Sequence, residues 1–181
     1  MNRTLSKGHV VKWATGLFAY GTVVHLLLLR YFVRWAYADT SDTTFVNHPL
    51  TNVSLPVLGG ICVSFLLLGL LHKTSDRDLT ALRTILEAGL RAMGATILAL
   101  ELFYILTSAY LALFWSHVDA VSQPPALERI AGGFILWFID IQTYGFEAVV
   151  LSLPFSFAYG CVAGAIIVGV KHKRHARMTG S

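Results

Sequence analysis

Forty-one consecutive residues, Ile130 to Val170, read IAGGFILWFIDIQTYGFEAVVLSLPFSFAYGCVAGAIIVGV and carry two charges, Asp140 and Glu147. No other stretch restricts the fold as much. Its second part, Ala148 to Val170, has no charged residue over 23 positions, which is long enough to cross a bilayer core. In the first part Asp140, Thr143, Tyr144 and Glu147 recur at i, i+3, i+4 and i+7, the spacing of one helical face. Acids on so apolar a helix must meet a partner, a cavity or water. A single helix over this stretch would be about 60 Å long, roughly twice the hydrocarbon thickness. Residues Ile130 to Glu147 are therefore expected to lie in the outer interface, to re-enter, or to stand proud against another protein. Gly145 and Pro154 are the natural places for a bend.

Composition sets the class. Of 181 residues 55% are hydrophobic and 13% charged, about half the usual charge of a soluble domain, and the apolar residues come in unbroken runs. The expected fold is all-α: a polytopic helical bundle in one transmembrane domain, with the lipid bilayer as its solvent. The net charge of +4 does not point to nucleic acid, because the basic residues border the apolar runs, where they orient spans and meet anionic lipid heads. Cys62 and Cys161 sit in apolar runs outside any CxxC or Cys/His spacing, and are expected to be free thiols. The basic Met1–Lys12 arm precedes an apolar run too long for a cleavable signal, so the first helix is read as a retained anchor.

Four spans are expected, at about 11–37, 55–72, 90–116 and 146–170, with an interfacial or proud helical segment at 128–145. Ser75 has the side chain of an N-cap for a helix starting near Asp76 and running to about Ser116. Arg83, Glu87 and Arg91 fall at i, i+4 and i+8, a spacing that allows ion pairs. The arm, the 73–91 segment and the tail after Val170 hold 11 of the 14 basic residues, leaving Arg30, Arg34 and Arg129 elsewhere. That asymmetry fits four spans with both termini cytoplasmic. Five spans would place the basic tail outside and require a turn where few polar residues exist to make one.

Candidate chemistry is sparse. Glu101 lies in the middle of the third span, with Tyr104 and Ser108 on its face, and is a candidate for handling protons or cations, or for fastening helices. Asp140 and Glu147 are candidates for an outer cation vestibule, with Arg30, Arg34 and Arg129 as alternative ion-pair partners. His25 and His117 form the one histidine pair suited by depth to a haem b, and His48 adds a candidate for a metal ion. Gly160 and Gly164 form GxxxG, and Gly169 extends a small-residue pattern on an adjacent face, suited to close helix packing. Walker A, GxSxG, HExxH and dinucleotide-binding patterns do not occur.

The leading expectation is a non-catalytic integral subunit or interaction protein of a larger membrane complex, associating with other membrane subunits or with itself. The alternatives are a small homo-oligomeric proton or cation channel or transporter built on Glu101 with Asp140 and Glu147, and a redox subunit holding haem b or a metal between His25 and His117.

Overall fold

The computed structural model describes residues 7–33, 49–76, 80–115 and 126–179. They form α1 (Lys7–Leu28), continued by a π-helical turn (Leu29–Val33), then α2 (Pro49–Asp76), α3 (Ala81–Trp115) and α4 (Ala126–Thr179). Among the described residues there is no strand, and the architecture is an all-α bundle. Four stretches are long and apolar enough to cross a membrane: Val10–Phe32, Asn52–Leu71, Ala81–Tyr110 and Phe146–Val170. The chain has the helices of a multi-pass membrane protein.

The helix ends follow local rules with two departures from expectation. Proline opens α2 at Pro49, at the position where its missing N–H is not needed. Six residues of the polar stretch before the second apolar run thus belong to the helix. The boundary between α2 and α3 also moves. Ser75 and Asp76 close α2 and do not open α3. The first α3 bond is Thr84 N–H to the Thr80 carbonyl at 3.1 Å, which puts Thr80 at the cap position. Sequence reading favours Ser75 because a short hydroxyl before a charged turn serves equally as a beginning or an end.

Successive helices pack as antiparallel neighbours, and small residues set their separation. Between α1 and α2, a Cβ on Gly21 would lie 2.8 Å from the Val63 Cβ and 3.0 Å from the Gly60 Cα. Between α3 and α4, a Cβ on Gly160 would lie 2.7 Å from the Ala88 carbonyl oxygen, and one on Gly164 2.9 Å from the Ile85 Cα. These backbones touch. Gly169 has open space around it. The core fills between the pairs with Leu17, Val24, Leu28, Leu55, Val63, Leu67, Ala95, Ala99, Leu100 and Phe103, all buried.

Helix α4 is continuous for 54 residues, about 80 Å along its path, and contains no chain reversal that re-entry would require. Its pairing with α3 changes part-way. Ser156 meets Thr96, whereas Gly133 faces Ala112, whose Cβ would lie 3.6 Å from a Cβ added at the glycine. Going from one contact to the other takes 23 residues of α4 and 16 of α3, or about 35 Å against about 24 Å of helix. Two straight helices cannot keep both contacts. Helix α4 therefore bends on the way, in a stretch that includes Gly145 and Pro154. Its first part, the distal arm, lies along the end of α3.

Candidate functional site

Polar side chains in the apolar interior join the four helices in a closed ring. Ser64 Oγ on α2 donates to the Ala14 carbonyl on α1 at 3.1 Å. On α3, Arg91 Nη1 donates to the Leu66 carbonyl on α2 at 2.8 Å, while Nη2 pairs with Glu87 at 2.9 Å. Between α3 and α4, Ser156 Oγ donates to Thr96 Oγ1 at 2.8 Å, and Thr96 and the Tyr159 hydroxyl lie 3.0 Å apart. The Tyr159 hydroxyl also lies 3.4 Å from the Ala92 carbonyl. Either Thr96 or Tyr159 can donate in the bond between them, and the three hydroxyls form one connected chain. Tyr20 Oη on α1 closes the ring by donating to the Tyr159 carbonyl on α4 at 2.8 Å. Helical carbonyls have a second lone pair free for such bonds.

His25 adjoins this ring. It is fully buried, and its ring centroid lies 6.3 Å from that of Tyr159 at 73°. Nδ1 is 2.8 Å from the Gly21 carbonyl. A carbonyl can only accept, so Nδ1 carries the proton and Nε2 is left as the acceptor of the neutral ring. Among the described residues Nε2 is buried without a hydrogen-bond partner. The ring fits because Gly59 has no side chain: a Cβ there would overlap Cγ, Nδ1 and Cδ2 of His25. His117 and His48 lie outside the described residues. Among the described residues no three His, Cys, Asp or Glu side chains gather as metal ligands.

Glu101 is half-buried on α3, and its Oε2 accepts a 2.6 Å hydrogen bond from Gln142 Nε2 on the distal arm. Tyr104 is fully buried, with its ring 5.7 Å from that of Phe103, and its carbonyl accepts from Ser108 at 2.8 Å. Glu147 is exposed on α4. Asp140 lies on the arm, and its side chain is outside the described set, as is that of Arg129; Arg34 is outside the described residues altogether. Cys62 and Cys161 are free thiols.

Sequence reading finds Glu101 and His25 but not Gln142, Tyr20, Thr96, Ser156 or Tyr159. A hydroxyl or amide in an apolar run is common enough to pass unnoticed. The available signal was the pair of tyrosines at mid-span, where a hydroxyl needs a partner.

Comparison with models of known families, with characterised proteins and with solved structures returns no match for this chain.

Proposed function

We propose that this protein is a non-catalytic integral subunit of a larger membrane complex, with both termini cytoplasmic, and that the distal arm of α4 is the face it turns to its partners. One observation carries the reading. Thr96 sits at the middle of the candidate span Ala81–Tyr110, and α3 continues to Trp115, about 28 Å beyond it, against about 15 Å for half a hydrocarbon core. The arm accompanies this extension, yet it displays Leu127 at 79% exposure and Leu136 at 71%, with Ile135 and Ile139 also exposed. Large apolar side chains near the edge of the hydrocarbon layer favour cover by another apolar surface. The distribution of basic residues supports the orientation.

Extraction from the native membrane in a gentle detergent, followed by native sizing, tests the reading. A large assembly with stoichiometric partners is expected. A stable, well-dispersed monomer would count decisively against it.

Glu101 supports a second reading, a homo-oligomeric proton or cation conductor, because a carboxyl group inside a candidate span is bonded to a neutral amide. Purified protein in liposomes should then carry a flux that Glu101→Gln abolishes; absence of flux from the wild-type protein would remove this alternative.

A further inference from the structure

Seen along its axis, the distal arm of α4 has two opposite sides. One is held to α3: Ile130 and Phe134 line an apolar groove with it, and further along Ala148 and Ser152 are buried. The other side is bare. Its residues Gly132, Leu136, Ile139, Thr143, Phe146 and Val150 are all exposed and alternate in steps of four and three, the spacing of a coiled-coil seam. Thr143 does not interrupt the seam, because its hydroxyl donates to the Ile139 carbonyl of its own helix at 2.8 Å and needs no outside partner. Gly132 has open space where a side chain would stand, room for a second backbone to approach. Glu147, also exposed, stands beside the seam. By register the flanking positions include Glu128, Asp140 and Glu147 and no lysine or arginine; Arg129, the one basic residue of the arm, falls on the seam line itself.

We infer that this seam is the docking line for one α-helix of another protein chain, a helix with its own apolar stripe at the same spacing, flanked by lysine or arginine. The inference rests on the subunit reading above and names the kind of partner. Position argues against lipid as the cover. The candidate span of α4 begins at Phe146, so Gly132, Leu136, Ile139 and Thr143 lie beyond the stretch that acyl chains surround. Charge argues the same way, because acids beside an apolar face are repelled by anionic headgroups. It also argues against a second copy. Helices paired through a seam bring their flanking positions together, and two copies of this arm would offer each other acids without a cation. A helix with basic flanks covers the seam and neutralises Glu147 together.

Site-directed photo-cross-linking in the native membrane tests it. With a photoreactive residue in place of Ile139 in the full chain, one protein adduct is expected. Mass spectrometry of the cross-linked peptide should find an apolar stripe in steps of three and four with lysine or arginine beside it. Adding Glu147→Lys should cut the adduct by about tenfold, through one attraction lost and one repulsion gained. Glu147→Gln should cut it by about threefold. The melting midpoint in detergent should not move in either variant; if Glu147→Lys lowers it, Glu147→Gln decides. An adduct of twice the chain's mass would mean self-association, and lipid adducts alone would mean that the bilayer covers the seam. A yield indifferent to both changes would mean that charge does not select the partner. Each of these overturns the inference. Native sizing separates its failure from that of the subunit reading: a large assembly without the Ile139 adduct removes the docked helix alone, and a monomer removes both.

Discussion

The imidazole of His25 occupies the space that a Cβ on Gly59 would need. The two residues form one packing unit: the ring reaches across α1 to lie on the bare α2 backbone, held in plane by Nδ1–H to the Gly21 carbonyl.

Gly59→Ala should therefore destabilise the bundle by about 2–3 kcal/mol through overpacking. In a His25→Ala background the same change should cost nothing, since alanine is the better helix former. A double-mutant cycle of denaturation in mixed detergents measures the coupling. Equal costs in the two backgrounds would show that the ring and Gly59 do not share this space.

Gly160 and Gly169 should separate cleanly. A Cβ at Gly160 would press on the Ala88 carbonyl, whereas one at Gly169 meets open space. Gly160→Leu should force α3 and α4 apart and lower the melting midpoint substantially. Gly169→Ala should leave it unchanged or raise it slightly, by the helix preference of about 0.5–1 kcal/mol. Matching effects at the two sites would contradict the close α3–α4 approach.

The polar ring predicts unequal losses at its two tyrosines. Tyr159→Phe removes the hydroxyl that bonds Thr96 and reaches the Ala92 carbonyl. It should cost about 1 kcal/mol, within the range for interhelical bonds in membranes. Tyr20→Phe removes a single bond and should cost about 0.6 kcal/mol. If Tyr20→Phe proved the more damaging, the α1–α4 bond and not the α3–α4 hydroxyl chain would be the stronger tie.

Arg91 joins α3 to the α2 backbone through one guanidinium nitrogen and to Glu87 through another. Arg91→Ala should cost about 2 kcal/mol. Arg91→Lys should recover only part of that, because an ammonium lacks the planar fork that serves two acceptors. Full rescue by lysine would mean that charge alone matters here. Gly69→Ala should be mild, since the atom it approaches, Arg91 Nη1 at 3.0 Å, is the end of a flexible side chain.

The spans are legible in the sequence because a run such as Ala148–Val170 without a charge satisfies a length requirement that does not depend on its neighbours. The bend in α4 is half legible: Gly145 and Pro154 mark where a helix yields, but the change in register needs contacts at both ends, Gly133 with Ala112 and Ser156 with Thr96. The polar ring is not legible, because Thr96 and Tyr159 are 63 positions apart and neither is unusual in its own helix. Glu101 is conspicuous as a carboxyl group in an apolar run, while its partner Gln142 lies in a segment whose packing no local pattern specifies. His25 is visible as a residue type, but its environment is set by Gly59 on another helix.

The bond that closes the ring joins Tyr20 to Tyr159, residues 139 positions apart in the chain. During synthesis the first helix is therefore in place long before its acceptor has been made. Until α4 arrives, the Tyr20 hydroxyl must find another partner or remain unpaired among lipid tails, where lone polar groups are costly. Completion of the bundle is thus a late event in its biogenesis, and a chain cut short before α4 would leave an unsealed three-helix intermediate for quality-control proteases to recognise.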